Sequence, residues 1–408
     1  MSFKKRDLAV VTVTKKAENS LVGGHPWVYG EEITDTEGLL SDGELVDVVS
    51  QKNRFLGTGF YNSNSKIRVR VISRNTNDKF DAAFFERRIK YAWDYRKTVM
   101  RGDTDCCRVI FGEADTFPGL TVDKFHDILV VQTLSLGIER RKELIFSLLY
   151  KVLTEDGAAI RGIYERNDVA IRELEGLTQN KGFFMADESS APIGTTVRIN
   201  ENGILYDVDF ENGQKTGFFL DQKYNRLAVS RLAYGRRVLD CFTHTGSFAL
   251  NAVKGGAESV CAVDISKDAI AMAQHNAEIN GFIDKMSFKC ENVFDLLTDM
   301  PKDEKYDFII LDPPAFTKSR STVGSASRGY KDINMRAMRL LPRGGYLATC
   351  SCSHFMREDM FTRVIASAAS DAGVQLRQIE ARQQSPDHPI LWGVPETNYL
   401  KFYIFQVV

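Results

Sequence analysis

The stretch Arg237-Val238-Leu239-Asp240-Cys241-Phe242-Thr243-His244-Thr245-Gly246-Ser247 decides the fold of this chain. Its apolar start predicts a short buried strand that ends in an acid, and Gly246 and Ser247 predict the opening of a helix. Further apolar runs ending in polar residues occur at 259–264, 306–311 and 345–349, and helical segments lie at 268–280 and 332–341. Strands and helices that alternate in this way predict a largely parallel, doubly wound α/β sheet, the Rossmann-like architecture.

The chain ahead of this sheet follows two other patterns. Residues 1–76 alternate between apolar and polar side chains, as at 9–13, 43–49 and 66–72, and glycine- and asparagine-rich turns separate the runs. That pattern predicts a small β-barrel domain. Residues 77–190 combine helical spacing at 80–101 and 138–153 with strands at 128–134 and 162–165, which predicts a central α+β domain. Residues 191–408 then form the third domain, with a last strand at 399–407.

The composition excludes some classes of protein but does not identify a binding partner. The hydrophobic fraction of 43% is ordinary for a globular protein, and the net charge of −1 means that nucleic-acid binding would need local basic patches. No apolar run reaches the roughly 18–20 residues that cross a membrane, and no secretory leader is recognisable. The seven cysteines form no zinc-type pairs. We therefore expect a cytoplasmic protein without a metal site or a membrane partner.

The turn after the first strand of the sheet is suited to S-adenosylmethionine. Its candidate cofactor-binding residues are Asp240, Phe242, Gly246 and Ser247. A glycine lets the backbone approach a ligand closely, and free N–H groups at a helix N-terminus attract a carboxylate such as that of methionine. Asp264 ends the next strand, where an acid accepts hydrogen bonds from ribose hydroxyls. Asn292 follows a third strand and is expected to bind the exocyclic amine of adenine.

Two alternatives to this cofactor site stay open. A nicotinamide-dependent dehydrogenase would need the pattern G-x-G-x-x-G, but this loop contains only Gly246. A plain strand–helix turn with one glycine is the structural alternative.

A proline-stiffened loop carries the next candidate, Asp312. The segment Asp312-Pro313-Pro314-Ala315-Phe316 follows a strand and therefore lies at the same edge of the sheet. The prolines fix the backbone, so that the Asp312 carboxylate and the Pro313 carbonyl are held ready to hydrogen-bond the amino group of a nucleobase. A purely structural loop, or an aspartate that caps a helix, is the alternative.

The following strand ends in Thr349-Cys350-Ser351-Cys352-Ser353, which suggests a thiolate nucleophile. Carbon 5 of a pyrimidine is too weakly nucleophilic to accept a methyl group until a thiolate adds to carbon 6. Free cysteines are also common as inert strand residues. Cys350 and Cys352 supply too few ligands for a metal site.

These motifs together resemble the bacterial 23S ribosomal RNA cytosine-5 methyltransferases that carry an N-terminal PUA domain, the RlmI-like family. The segments that carry the resemblance are 24–29, 211–222, 312–316 and 351–353. The resemblance implies a PUA-like domain, a central α+β domain and a Rossmann-like class I methyltransferase domain. It also implies S-adenosylmethionine as cofactor, large-subunit ribosomal RNA as partner, and a cofactor-binding role for Gln222. A homodimer is an open alternative to a monomer.

The resemblance places the catalytic cysteine at Cys352, beside Asp312 as the second catalytic residue. Other RNA cytosine-5 methyltransferases carry a Thr-Cys-Ser triplet, which would point to Cys350 instead. Strand alternation puts positions 350 and 352 on the same face and does not choose between them. Asn292 departs from the family pattern, in which an acid is usual, and this weakens the adenine contact expected there.

Basic residues suggest where RNA would bind. Between positions 51 and 77 the cations are Lys52, Arg54, Lys66, Arg68, Arg70 and Arg74, and no acid interrupts them. Arg68 and Arg70 share one strand face, with Phe60 and Tyr61 nearby, a combination that suits RNA backbone and bases. A solvated strand face is the alternative. Lys318, Arg320 and Arg328 are candidates to guide phosphates, although 319–329 also reads as a flexible loop.

Two rival functions stay open. The first is an exocyclic-amine methyltransferase, which would use the Asp312 loop without a cysteine. The second is a non-catalytic RNA-binding protein.

Overall fold

The computed structural model describes residues 6–187, 189, 192–301, 304–317 and 319–408. The chain forms two compact units. The first consists of Met1–Ile199, Val208–Leu220 and Pro386–Thr397, and the second consists of Asn200–Asp207, Asp221–Ser385 and Asn398–Val408. The three-domain division at 76 and 190 stays a prediction.

A six-stranded sheet occupies the start of the first unit. Its elements are β1 (Ala9–Val13), α1 (Lys15–Val22), β2 (Trp27–Tyr29), β3 (Ile33–Glu37), β4 (Leu45–Ser50), β5 (Phe55–Tyr61) and β6 (Ile67–Ser73). The strand order is β2-β6-β5-β4-β1-β3, and only β1 and β4 run parallel. Alternate residues such as Val11, Val48 and Val69 point into a common core, as the period-two pattern predicts.

A five-stranded sheet follows in the same unit. Its elements are α2 (Ala82–Val99), β7 (Cys106–Phe111), β8 (Leu120–Phe125), β9 (Ile128–Thr133), α3 (Leu136–Glu139), α4 (Lys142–Glu155), β10 (Gly162–Arg166) and β11 (Lys181–Ala186). The strand order is β11-β10-β9-β8-β7. Helix α2 begins after Asp81, whose side chain accepts a hydrogen bond from the Phe84 N–H at 3.0 Å and so caps the helix.

A seven-stranded sheet carries the candidate site. After the hairpin of β12 (Thr196–Glu201) and β13 (Ile204–Asp209), the chain forms α5 (Lys223–Leu232), β14 (Arg237–Cys241), α6 (Ser247–Lys254), β15 (Ser259–Asp264), α7 (Lys267–Ile279), β16 (Met286–Cys290), α8 (Val293–Asp299), β17 (Phe308–Leu311), α9 (Val323–Leu340), β18 (Tyr346–Ser351), α10 (Glu358–Ala372), β19 (Leu376–Arg382) and β20 (Lys401–Val407). The strand order is β16-β15-β14-β17-β18-β20-β19.

The expected doubly wound sheet is confirmed. Strands β14 to β18 run parallel, whereas β20 lies antiparallel to both β18 and β19. All four residues of β17 are buried, as expected for a central parallel strand covered on both faces.

The flexible loop expected at 319–329 is wrong. A short 3-10 turn at Arg320–Thr322 leads into α9, which starts at Val323. Ala326 and Tyr330 on the first turns of α9 are buried in the core of the sheet, and this packing outweighs the weak helix propensity of the serine- and glycine-rich segment.

Candidate active site

The candidate residues meet at the carboxyl edge of four neighbouring strands. Cys241 on β14 lies level with Val263 on β15 and with Leu311 on β17, and Leu311 lies level with Thr349 on β18. Asp264, Asp312 and Cys352 come after that level, and Asp240 comes one residue before it. This edge is where doubly wound sheets bind their ligands.

The turn between β14 and α6 has a strained backbone. Phe242 and His244 adopt positive φ angles of 64° and 51°, although neither is a glycine. Such conformations cost about 1–3 kcal/mol each and concentrate at functional sites. Gly246 has φ +80°, and a Cβ atom built on it would lie 3.0 Å from the Ala273 Cβ. Glycine is therefore required at 246 by the backbone angle and by the packing against α7.

Asp240 offers a buried carboxylate oxygen beneath this turn. Its Oδ2 accepts hydrogen bonds from the Thr243 hydroxyl at 2.6 Å and from the Ala249 N–H at 3.0 Å. Its Oδ1 is buried and has no hydrogen-bond partner within the described part of the chain. Burial raises the pKa of Asp240 to about 7, and the nearby Asp312 adds to the rise. An acceptor without a partner fits a cofactor that carries an ammonium group and hydroxyls.

Asp264 is held in a fixed orientation at the end of β15. Its Oδ2 accepts the His244 N–H and its Oδ1 accepts the Ser266 N–H, both at 2.9 Å. Each oxygen keeps a second lone pair, so the half-buried carboxylate can still accept the two hydroxyls of a ribose. The neighbouring Ile265 is 70% exposed and offers an apolar surface that the sequence reasoning did not single out.

Ser247 and Asn292 have structural partners of their own. The buried Ser247 hydroxyl accepts a hydrogen bond from Nη1 of Arg226 at 3.4 Å, and Arg226 pairs with Glu201 at 2.6 Å. Asn292 is the N-cap of α8, and its Oδ1 accepts the Phe294 N–H at 2.9 Å. That oxygen keeps a second lone pair, so the capping role of Asn292 is compatible with the predicted hydrogen bond to an adenine amine, which stays a prediction.

Gln222 lies against Asp312. Its Nε2 donates to the Asp312 Oδ1 at 3.1 Å, and its Oε1 accepts a hydrogen bond from Asn225 at 2.7 Å. The cofactor-binding role of Gln222 stays a prediction, and the structure shows it as a residue that orients the Asp312 carboxyl group.

The Asp312 loop is not a helix cap, because no helix begins between Asp312 and Thr317. Burial raises the pKa of Asp312 to about 6, and the Asp221 carboxylate adds to the rise, while Arg226 opposes it. Phe316 packs against Tyr330 with ring centres 4.6 Å apart, which anchors the loop on α9. A carboxyl group with a pKa near 6 exchanges its proton close to neutral pH.

The two candidate cysteines have different environments. Cys350 is fully buried, and burial raises the pKa of its thiol well above the ordinary value, as does the adjacent Asp312 carboxylate. Cys352 follows the end of β18 and is half-buried. Because the thiolate is the nucleophile, the environment of Cys350 disfavours that role for Cys350.

Lys401 is a buried cation near these cysteines that the sequence reasoning missed. Its Nζ donates to the Ser353 carbonyl at 2.6 Å and to the Tyr399 carbonyl at 2.7 Å. The sequence predicted a strand here but gave no signal that its lysine would point inward.

Part of the expected RNA-binding surface lies inside the protein. Arg70 pairs with Glu175 at 2.7 Å and with Glu113 at 3.5 Å, and its guanidinium lies over the ring of Trp27. Phe60 is 3% exposed. The predicted RNA contact is therefore wrong for these two residues, because the terminal nitrogens of Arg70 are paired with acids and Phe60 is buried.

The other predicted basic residues are mostly at the surface. Those that remain exposed are Lys52, Arg54, Lys66, Arg74, Arg320 and Arg328. Arg68 is half-buried and donates to the carbonyls of Asn62 and Ser63. Lys318 lies outside the described residues.

Neither a metal centre nor a membrane span is found in the described part of the chain. None of its His, Cys, Asp and Glu side chains form a group of three or more that could hold a metal ion. Within the same residues, every helix is too short or too polar to cross a bilayer.

Comparison with known proteins agrees with this geometry. Residues 11–74 match the PUA-like domain family, and residues 185–402 match the S-adenosylmethionine-dependent methyltransferase family. The strand order of the sheet, the turn after Asp240 and the two family matches agree. Together they define an S-adenosylmethionine-dependent methyltransferase that carries a PUA-like domain. S-adenosylmethionine is thus the cofactor of this protein.

The curated relatives give the family more narrowly. "Ribosomal RNA large subunit methyltransferase I" of Aeromonas salmonicida is 42% identical over 394 residues, which cover 96% of this chain and 97% of the relative. The protein of the same name from Klebsiella pneumoniae is 40% identical over 401 residues, 98% of each chain. The chain belongs to the family of these relatives.

Solved structures confirm the fold. A candidate S-adenosylmethionine-dependent methyltransferase from Streptococcus mutans superposes with a TM-score of 0.80 at 23% identity, over 98% of this chain and 100% of that one. A second crystal structure, of a candidate methyltransferase complexed with SAH, gives a TM-score of 0.82 with the same identity and coverage.

Proposed function

We propose that this protein methylates carbon 5 of a cytosine in large-subunit ribosomal RNA, with Cys352 as the nucleophile. The names of the curated relatives support the RNA class. The observation that carries the chemistry is the contrast between the two cysteines, since Cys350 is fully buried with a raised pKa and Cys352 is only half-buried.

The thiolate of Cys352 starts the reaction by adding to carbon 6 of the ring. A carbon–sulfur bond forms, and the electron pair of the 5,6 double bond moves to carbon 5 and, by conjugation, to ring nitrogen 3. Asp312 faces this charge, and its pKa of about 6 allows the carboxyl group to share a proton with nitrogen 3 near neutral pH. Gln222 holds that carboxyl group in place through its 3.1 Å hydrogen bond.

The residues that would hold the cofactor are Asp240, through its unpartnered Oδ1, Asp264, and the N-terminus of α6 at Ser247. When bound, S-adenosylmethionine supplies an electrophilic methyl group. Carbon 5, having gained the methyl group, loses its proton to a base, and the returning electron pair expels the Cys352 thiolate.

Covalent trapping tests this mechanism. RNA containing 5-fluorocytidine cannot release the position-5 substituent as a cation, so the cysteine adduct should accumulate. We expect the wild type and Cys350→Ala to form an adduct that survives denaturing electrophoresis, and Cys352→Ala to form none. Melting curves control for folding of the Cys350 variant, which loses a buried side chain. Full methyl transfer by both alanine variants would instead support an exocyclic-amine methyltransferase.

The RNA is expected to be free of assembled protein when it is methylated. The target base must leave its stack to reach a site recessed at the edge of the sheet. We expect protein-free 23S ribosomal RNA to be methylated faster than intact large subunits. Equal rates on both substrates would contradict this expectation.

A further inference from the structure

Lys401 lies where its charge bears on the candidate nucleophile. It is the first residue of β20 and pairs across the strands with Ser351, the last residue of β18. Its ammonium group reaches the carbonyl of Ser353, one residue past Cys352, and also the carbonyl of Tyr399. The side chain is only 5% exposed. The lysine therefore fixes the backbone just after Cys352, at Ser353, while β18 fixes the backbone just before it, at Ser351.

The surroundings of Lys401 do little to balance its positive charge. Its two hydrogen-bond partners are neutral carbonyl groups. The acid that acts on it, Glu358 on α10, accepts a hydrogen bond from the Tyr403 hydroxyl at 2.6 Å. A buried cation is costly unless an anion compensates it, and the other group that acts on Lys401 is Cys352.

The interaction between the lysine and the cysteine works in both directions. Burial lowers the pKa of Lys401 to about 8, whereas Cys352 and Glu358 favour its charged form. If the Cys352 thiolate stabilises the charged form of Lys401, the ammonium group stabilises the thiolate by the same free energy. Tyr330 on α9 and the Cys350 thiol also face Cys352, and both are neutral at neutral pH because burial raises the pKa of each. Lys401 is therefore a cation that acts on Cys352.

We propose that Lys401 is a positioning residue whose buried ammonium group stabilises Cys352 as a thiolate. This inference rests on the proposed function and extends it, because it identifies the group that prepares the nucleophile. No atom is transferred to or from Lys401 in this role. It acts through Cys352 and holds the strand end that carries it.

Thiol alkylation as a function of pH tests this role without RNA. The wild type, Lys401→Met, Lys401→Gln and Lys401→Arg are treated with iodoacetamide between pH 5.5 and 9.5, and labelling of each cysteine is followed by mass spectrometry. The exposed Cys290 in the same unit serves as the internal control in every sample. Glutamine is the informative substitution, because its amide can donate to both carbonyls but carries no charge.

We expect the pKa of Cys352 to rise by about one unit or more in the methionine and glutamine variants, so that its labelling at pH 7 slows about tenfold. The arginine variant should keep a profile close to the wild type, and Cys290 should not change in any variant. A glutamine variant with the wild-type profile would overturn the proposal and leave Lys401 as a hydrogen-bonding clamp.

The same experiment separates this inference from the proposed function. Labelling of Cys352 does not depend on the reaction catalysed. If Cys352→Ala keeps full methyl transfer while Lys401→Gln still slows labelling, the cytosine-5 mechanism fails and the thiolate assignment stands. If Cys352→Ala is inactive and labelling is unaffected by Lys401→Gln, the mechanism stands and the assignment fails.

Discussion

Replacement of Asp240 by asparagine should stabilise the protein at alkaline pH while weakening cofactor binding. Burial raises the pKa of the folded carboxyl group from 3.8 to about 7, so the folded state binds more protons than the unfolded state across this range. The free energy of unfolding therefore falls as pH rises from about 4 to about 7. Between pH 5 and pH 8 this single group removes about 3 kcal/mol of stability.

Asparagine escapes this penalty because it has no proton to lose. Its amide oxygen can take the place of Oδ2 and accept the same two hydrogen bonds, from Thr243 and Ala249. Its amide nitrogen then occupies the place of the unpartnered Oδ1. Replacing this oxygen by nitrogen changes the free energy of unfolding by the same amount at every pH. It therefore cancels when the stabilities at two pH values are compared. It also puts a donor where the cofactor needs an acceptor, so affinity should fall at least about tenfold.

Urea unfolding at pH 5 and pH 8 measures the effect. The stability of Asp240→Asn relative to the wild type should increase by about 3 kcal/mol between the two pH values. Asp359→Asn is the control, since hydrogen bonding to Arg357 lowers the pKa of Asp359 and the group is ionised at both pH values. An equal difference at pH 5 and pH 8 for Asp240→Asn would refute the reasoning.

Three further substitutions test the rest of the site. Gly246→Ala should cost about 2 kcal/mol or more in urea unfolding, because alanine meets both a left-handed backbone and the Ala273 side chain; an unchanged midpoint would contradict this. Arg226→Met should cost about 3–5 kcal/mol by leaving Glu201 buried without its partner, and replacing Glu201 by leucine as well should recover most of the loss. Asp264→Asn should weaken S-adenosylmethionine binding in calorimetry about tenfold or more, since an amide cannot accept hydrogen bonds at both positions; unchanged affinity would remove Asp264 from the cofactor site.

The parts of the fold with a regular pattern were predictable from sequence. The strand at 259–264 has the predicted bounds, and the helix predicted at 268–280 lies at Lys267–Ile279. In both, apolar periodicity agrees with the final packing. The hairpin at 196–209 was missed, although its buried residues alternate as period-two patterning requires. Its short strands are separated by a turn at Asn202 and Gly203, a signal that was available.

Contacts between residues distant in sequence were not predictable. Arg70 pairs with Glu113 and Glu175, which lie 43 and 105 residues away in the sequence. Its basic neighbours in the sequence suggested a cation free to bind RNA, because these distant acids could not be foreseen. Lys401 meets the carbonyl of Ser353 only because β20 inserts antiparallel beside β18. The position of Asp312 was predictable because a residue that follows a parallel strand lies at the edge of the sheet.

The most direct test of cytosine-5 methylation by Cys352 is nucleoside mass spectrometry of ribosomal RNA. RNA from a strain that lacks this protein is incubated with purified enzyme and S-adenosylmethionine carrying a deuterated methyl group. We predict that the label appears in 5-methylcytidine with the wild type and with Cys350→Ala, and that it is absent with Cys352→Ala. Label in a base methylated on nitrogen, or label in 5-methylcytidine made by Cys352→Ala, would contradict the mechanism.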